Sequence, residues 1–302
     1  MATVTELRYY PVKGCAGVRA EQAELTRAGL AHDRAFMVVD ERGVFRSQRR
    51  DPLLATVRPA VEEDGGRLRL AAPGVEPVAF AVDTVGPRRE VQLFGAPYLA
   101  VDQGAEAAEW LSQVLGSPSR LVRVPPEHDR VTDGLTPGTS GFADSSAVHL
   151  LSRATLDDFN ARIDEGATPV PVDRFRPNVV VDGWPEPHTE DLLRRFTVGR
   201  TGPDARTGSG PGARTETRTD PGADTGTGAE LGYTKLAIRC AVTLVDQTTG
   251  GKAGPEPLRT LARYRRATAG GVAFGSKFSV LRPGTLRVGD ELTVSDWGPS
   301  EL

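Results

Sequence analysis

The chain has 302 residues, of which 38% are hydrophobic and 25% are charged, and its net charge at pH 7 is −3. This length is greater than that of one ordinary domain and provides enough apolar material for a sizeable core. The slightly negative charge and the aromatic content of 6% argue against a nucleic-acid-binding face. We therefore expect no nucleic-acid partner.

Two cysteines and four histidines limit the metal centres that this chain can build alone. Two cysteines cannot supply the four thiolates of an iron–sulfur cluster, and they do not form a disulfide framework. The histidines are scattered and show no close Cys/His spacing of a zinc site. No apolar run approaches the ~18–20 residues that span a bilayer, and the N-terminus lacks the pattern of a signal peptide. We expect a cytoplasmic protein with no membrane partner.

Most of the chain is typical of short β-strands joined by turns. An apolar run in residues 34–48 is interrupted at residues 40–43, which predicts a hairpin. Leu68 and Leu70 alternate with polar residues, and residues 90–101 predict two strands around a Gly-Ala-Pro turn. Residues 286–294 predict two more strands, separated by a Gly-Asp turn. The pattern favours a mainly β fold, built as sheets or barrels, with a few helices.

Three segments have helical periodicity. Residues 105–116 align alanine, leucine and valine side chains on one face, and residues 256–266 have basic residues in their last turn. Residues 152–163 begin at Ser152, a residue type that commonly caps helix N-termini.

Two polar segments interrupt these elements. Residues 125–141 are rich in proline and glycine and predict a loop between two halves, which we place at 1–115 and 116–302. Residues 201–230 contain no Val, Ile, Leu, Met, Phe, Tyr or Trp. Such a composition does not bury enough surface to offset the entropy of ordering, so we expect a disordered loop inserted into the second half.

Cys240 lies in the segment KLAIRCAVTLVDQTTG, residues 235–250, which is typical of a β-strand. A lone cysteine in a strand is compatible with two interpretations. It is either a small apolar residue that fills a core, or a thiolate presented for chemistry.

Several motifs, taken in order, resemble the MOSC-domain family, named for the C-terminal domain of molybdenum-cofactor sulfurase. They are YYPVKGCAG (9–17), GLAHDRAFMVVDERG (29–43), FADSSAVHLLS (142–152), VDRFRPNVVVDG (172–183), IRCAVTLVDQTTG (238–250), EPLRTLARYR (256–265) and LRVGDELTV (286–294). The first half resembles the β-barrel domain that precedes MOSC in the mitochondrial amidoxime-reducing component and its bacterial relatives.

The resemblance implies a molybdenum cofactor and a set of residues that hold it. Cys240 would be the thiolate ligand of molybdenum, and Lys13, Arg34 and Arg176 would face the phosphate of the pterin. Asn178 could donate to the pterin, and Asp144 would lie near the substrate as a proton donor or acceptor. On a strand, Arg239 would face away from Cys240, which makes its help to the thiolate doubtful. The full cofactor-binding set is Lys13, Gly14, Arg34, Ser145, Ser146, Arg176, Asn178 and Arg239.

Some positions depart from the family pattern. Gly14 stands where relatives have Ser or Thr, so a side-chain hydroxyl to the phosphate is lost. Ile238 replaces a small or polar residue, and Ala147 replaces a common proline. We interpret Cys15 as structural and buried. These departures concern the substrate more than cofactor binding.

The implied function is a molybdenum-cofactor oxidoreductase that reduces N-hydroxylated or N-oxide-type small molecules. Because the chain has no iron–sulfur centre, a separate ferredoxin or flavoprotein would supply the electrons. One alternative is sulfur transfer through a persulfide on Cys240, or cofactor carriage without turnover, although the chain has no pyridoxal-phosphate domain to generate the sulfur. Another is a β-barrel that binds a different anion. We expect a monomer.

Overall fold

The computed structural model describes residues 1–199 and 228–302, and these residues form a mainly β fold, as the sequence predicts. In the part of the chain that is described, no helix is long and apolar enough to cross a membrane. The strands are β1 Ala2–Tyr9, β2 Val12–Lys13, β3 Val18–Ala20, β4 Gln22–Thr26, β5 Gly29–Leu30, β6 Phe36–Val39, β7 Arg58–Glu62, β8 Arg67–Ala72, β9 Val75–Ala81, β10 Arg88–Leu93, β11 Ala96–Asp102, β12 Arg120–Arg123, β13 Val131–Thr132, β14 Gly138–Thr139, β15 Val148–Ser152, β16 Val179–Asp182, β17 Leu193–Gly199, β18 Ala229–Arg239, β19 Val272–Arg282, β20 Gly284–Arg287 and β21 Glu291–Trp297. The α-helices are α1 Gly104–Leu115, α2 Arg153–Ala161 and α3 Leu258–Tyr264, and short 3-10 helices span Pro52–Thr56, Glu63–Gly65, Val172–Arg174, Thr189–Asp191 and Ala241–Leu244.

Seven strands close into a barrel in the order β16-β15-β19-β18-β17-β21-β1, because β1 pairs back onto β16. All these pairs are antiparallel except β15 with β16. The N-terminal strand is therefore part of the same barrel as the C-terminal half of the chain. Large side chains such as Phe196, Tyr233 and Phe278 fill the barrel core, with at most 1% of each exposed.

A second unit is built from the sheet β10-β11-β12-β6-β2, the sheet β7-β8-β9 and helix α1. Trp110 of α1 is buried and donates from its indole nitrogen to the carbonyl of Glu76 at 2.6 Å. Cys15 belongs to this core and is fully buried, as predicted, and burial raises the pKa of its thiol to about 12.

The predicted helices are confirmed, each within a few residues. Ser152 caps α2 as expected, since its hydroxyl accepts from the backbone N–H of Thr155 at 3.1 Å. Helices α2 and α3 share a core with the interlocked rings of Phe159, Phe175 and Phe274, whose centroids lie 4.2 to 5.7 Å apart.

The local predictions at turns and loops had different outcomes. The turn at residues 40–43 forms, but no second strand follows it, and only an isolated bridge joins Val39 to Phe45. The two strands predicted around the Gly-Asp turn are confirmed as β20 and β21, which pair with β4 and with β17 and β1 respectively. Residues 125–141 contain the short ribbon β13-β14.

The segment predicted to be disordered, residues 201–230, lies outside the described residues except at its end. Ala229 and Glu230 begin β18, where Ala229 pairs with Val198 of β17. The predicted end of the disordered segment, residue 230, was therefore two residues too late. A polar residue such as Glu230 fits within a strand because it lies on the outside of the barrel, where Arg195 donates to it at 2.6 Å.

Candidate cofactor-binding site

All ten residues singled out from the sequence line one cavity of about 420 Å³. Strands β2, β18 and β19, and the loops that precede β6, β15 and β16, all contribute to its wall. The cavity thus joins side chains that are more than 200 positions apart in the sequence. The ten are Lys13, Gly14, Arg34, Asp144, Ser145, Ser146, Arg176, Asn178, Arg239 and Cys240.

Cys240 does not lie inside a strand, contrary to the sequence prediction. Strand β18 ends at Arg239, and Cys240 precedes the 3-10 helix Ala241–Leu244. The carbonyl of Cys240 accepts from the N–H of Thr243 at 3.0 Å and from its hydroxyl at 2.9 Å, which fixes the turn. The thiol is exposed to the cavity. It is therefore accessible to a ligand and is not a core filler.

Arg239 lines the same cavity as Cys240, so the expectation that the two side chains face opposite ways was also wrong. Strict alternation holds only along a strand, and Cys240 lies just beyond the end of one. One terminal nitrogen of Arg239 donates to the carbonyl of Phe175 at 2.7 Å. Its Nε is buried and has no hydrogen-bond partner among the described residues. Burial lowers the pKa of this guanidinium, and the adjacent Cys240 opposes that effect.

Arg34 and Arg176 form a rigid pair around a tyrosine ring. Each guanidinium carbon lies 4.2 Å from the ring centroid of Tyr10. Both arginines have left-handed backbone angles, with φ of 48° and 57°, which is unusual for residues with a side chain and costs on the order of 1–3 kcal/mol each. Backbone strain of this kind is concentrated at functional sites, because the surrounding structure must enforce it.

The charge of Arg34 is stabilised by Asp33, whose two carboxylate oxygens accept from it at 2.7 and 2.6 Å. Burial opposes the charged form, but the carboxylate outweighs it and raises the pKa of Arg34. For Arg176, by contrast, burial lowers the pKa. Its only side-chain hydrogen bond among the described residues is a long one, 3.4 Å to the amide oxygen of Gln247.

Asn178 connects the elements behind this pair of arginines. Its amide oxygen accepts from Arg34 at 3.1 Å and from the backbone N–H of His149 at 3.2 Å. Its amide nitrogen donates to the carbonyl of Arg8 at 3.1 Å. The amide oxygen therefore helps to hold Arg34, while one amide hydrogen has no acceptor among the described residues, so the donation to the pterin stays a prediction.

Lys13 and Asp144 form an ion pair across the cavity. Burial raises the pKa of the Asp144 carboxyl, but Lys13 and then Lys277 outweigh it, and the net shift is far below the usual range. The side chain is 62% exposed, and this exposed surface faces the cavity. Because Asp144 is held ionised, its carboxyl is not a proton donor at neutral pH, and its strongly lowered pKa also makes it a weak base.

The backbone explains why glycine occupies position 14. Gly14 has a φ of +83°, which a residue with a side chain rarely adopts. Its carbonyl accepts from the amide of Gln48 at 2.6 Å. Glycine at this position therefore permits a turn that brings the backbone to the cavity wall, and the side-chain hydroxyl that relatives have there is absent.

The loop carrying Ser145 and Ser146 is held by Arg130, which donates to the carbonyls of Gly141 at 2.9 Å and Ala143 at 2.7 Å. The hydroxyl oxygen of Ser146 is buried, and no described residue bonds to it. A buried polar group without a partner costs free energy, so this hydroxyl is available to a ligand.

Four of the basic residues in the cavity wall were not predicted from the sequence. The cavity is lined by eight basic side chains and a single carboxylate, although the whole chain carries a net charge of −3. A lysine placed among apolar residues of a strand, such as Lys277 in VAFGSKFSVLR, is the signal that could have revealed one of them. The missed cations are Arg46, Arg49, Lys235 and Lys277.

Comparisons with known proteins agree with this picture. Residues 1–118 match the family described as the MOSC N-terminal beta barrel domain, and residues 137–293 match the MOSC domain. The chain is 31% identical to mitochondrial amidoxime reducing component 2 of Rattus norvegicus, over 96% of this chain and 82% of the relative. It is 28% identical to the human component 1 with the same two coverages, 96% and 82%. It is also 29% identical to the molybdenum cofactor sulfurase of Danio rerio, over 90% of this chain but 31% of that longer protein.

Proposed function

Since the chain belongs to the MOSC-domain family, we propose that it binds the molybdenum cofactor and reduces N-hydroxylated or N-oxide-type small molecules. The observation that carries this proposal is the meeting of the exposed Cys240 thiol with Lys13, Arg34 and Arg176 in one cavity. A thiolate is a soft, anionic ligand that suits a high-valent oxo-metal, and convergent cations suit a phosphate. No other described part of the chain combines both.

The residues present fit such a cofactor. Arg239 Nε and the Ser146 hydroxyl are buried atoms with unused hydrogen-bonding capacity on the cavity wall. Arg34 and Arg176 are held in place by Tyr10, so they lose little freedom on binding an anion. When bound, the cofactor would supply two-electron, oxygen-atom chemistry.

The residues of this chain would bind and orient the cofactor and the substrate, and they would exclude water from the cavity. Cys240 would hold the metal, while Lys13, Arg34 and Arg176 would hold the phosphate, and Asn178 would keep Arg34 aimed. The hydroxyl of Ser146 and the backbone around Gly14 and Ser145 would donate hydrogen bonds to the pterin. Asp144, held ionised by Lys13, would accept a hydrogen bond from the substrate and so orient it.

The proposed reduction requires a substrate and an electron donor as partners. A small-molecule substrate must reach the exposed side of Cys240, and electrons must come from a separate ferredoxin or flavoprotein. A monomeric state and a cytoplasmic location stay predictions from the sequence.

A second function, sulfur transfer or cofactor carriage, is favoured by one observation. The Cys240 thiol is accessible, and the chain is similar to a molybdenum cofactor sulfurase as well as to amidoxime reducing components. In this alternative Cys240 would carry a persulfide or release the cofactor to another protein.

The test is molybdenum per chain after expression in a host that makes the cofactor. We expect near one metal per chain in the wild type and in Cys15→Ala, a control at the buried cysteine, and a large loss in Cys240→Ala. Equal, near-zero metal in all three would overturn the proposal. If metal is bound, benzamidoxime with a reduced artificial donor tests turnover. Metal without turnover, or a persulfide on Cys240 by mass spectrometry, would favour the second function.

A further inference from the structure

We propose that Lys277 selects substrates that carry a carboxylate in addition to their N–O group, an inference that rests on the proposed function. The cations of the cavity wall differ in whether a side chain or carbonyl of the protein already binds them.

Most of these cations are already engaged. Four form ion pairs with carboxylates, Arg176 stacks on Tyr10, and Arg239 donates to a backbone carbonyl. The ammonium of Lys277 makes no hydrogen bond and no ion pair with any residue that the structure describes, and Arg49 is exposed at the rim. The four ion pairs are Lys13 with Asp144, Arg34 with Asp33, Arg46 with Asp51 and Lys235 with Asp133.

The surroundings of Lys277 oppose a lone positive charge. Lys277 is half-buried in β19, between Lys235 of β18 and His149 of β15 in the strand register. Burial lowers the pKa of its ammonium to about 7, Asp144 opposes this, and Arg239, Arg34 and Lys13 reinforce it. A bound anion would remove this penalty, because it supplies the charge-assisted hydrogen bond that the chain does not.

Lys277 lines the same cavity as Cys240 and lies near Asp144, since its ammonium helps to lower the pKa of that carboxyl. Because the proposed function places Asp144 near the substrate, Lys277 is positioned to meet a substrate group. Arg34 and Arg176 come from different loops and are fixed by Tyr10. A rigid molecule with its N–O group at Cys240 and a carboxylate at its far end would reach Lys277.

Two probes differ only by that carboxylate: benzamidoxime and 4-carboxybenzamidoxime. We expect Lys277→Gln to raise KM for the carboxylated probe about tenfold or more, with less than about a twofold change for the plain probe. Lys277→Arg should restore the preference. The matched control is Lys235→Gln. Lys235 lies directly across the strand pair and lines the same cavity, but its ammonium is already paired with Asp133. This variant should change the KM of neither probe more than about twofold.

A binding measurement, which does not depend on turnover, accompanies the kinetic measurement. Calorimetry compares the Kd of the reaction products, 4-carboxybenzamidine and benzamidine, in the same variants, and Lys277→Gln should weaken only the carboxylated product. Equal effects on both compounds would overturn the inference. Loss of molybdenum in Lys277→Gln, but not in Lys235→Gln, would also overturn it by making Lys277 a cofactor ligand. A wild type without molybdenum would refute the proposed function instead, and the calorimetric comparison would still decide the role of Lys277.

Discussion

Replacing Glu190 by glutamine should change how the stability of this protein depends on pH. Glu190 is completely buried behind the barrel, where its two carboxyl oxygens accept from the N–H of Ser152 at 3.1 Å and the hydroxyl of Thr155 at 2.9 Å. Burial, and then the neighbouring carboxylate of Asp191, raise the pKa of Glu190 from its ordinary value of 4.5 to about 7. Glutamine mimics the protonated acid in shape and in hydrogen bonding.

The magnitude follows from that pKa change. A difference between 4.5 and about 7 corresponds to ~3 kcal/mol, since one pKa unit is about 1.4 kcal/mol. Because the folded-state pKa is the higher one, the stabilisation is fully present below pH 4.5 and is lost as the pH rises through 7. The free energy of unfolding of the wild type should therefore fall relative to Glu190→Gln across this range, by ~3 kcal/mol at pH 8.

The assay is urea denaturation followed by tryptophan fluorescence at several pH values from 4.5 to 8. The difference between wild type and variant cancels the titrating groups that do not interact with Glu190, whereas Asp191 does interact with it and is measured together with it. Glu186→Gln, at an exposed glutamate of the same segment, is the control and should stay within about 0.5 kcal/mol of the wild type throughout. A Glu190→Gln difference that is constant over the whole pH range would refute the reasoning.

Three further predictions test other parts of the structure. Gly275→Ala should lower the free energy of unfolding by about 2–4 kcal/mol in chemical denaturation, because φ is +75° and the new Cβ would meet the Leu150 carbonyl oxygen at 2.8 Å. In cofactor-free protein, a thiol reagent should label one cysteine per native chain, the exposed Cys240, and two after denaturation, when Cys15 becomes accessible; two fast-reacting thiols in the native state would contradict the burial of Cys15. Deleting residues 201–227 should leave far-UV circular dichroism and molybdenum content unchanged, since Val198 and Ala229 are already paired across β17 and β18, and loss of either would show that the segment supports the fold.

Local sequence patterns predicted much of the fold, and the family resemblance predicted which residues line the site. The 3.6-residue periodicity located all three α-helices, and Ser152 marked the start of α2, because helical hydrogen bonds and caps involve residues close in sequence. The short, alternating apolar runs predicted a mainly β protein. The resemblance to a family singled out ten residues that do line one cavity, but their roles stay proposals.

Tertiary structure decided what depends on contacts between distant residues. Only the pairing of β1 with β16 shows that the N-terminal strand closes the barrel of the C-terminal half, since strand partners are not encoded in periodicity. Only the end of the β18 ladder at Arg239 places Cys240 beyond the strand, on the same cavity as its neighbour. Two counter-ions in the cavity come from distant segments, Asp144 for Lys13 and Asp133 for Lys235. The sequence shows only that Lys277 is a lysine in a strand, and the folded chain shows that its ammonium has no hydrogen-bond or ion-pair partner among the described residues.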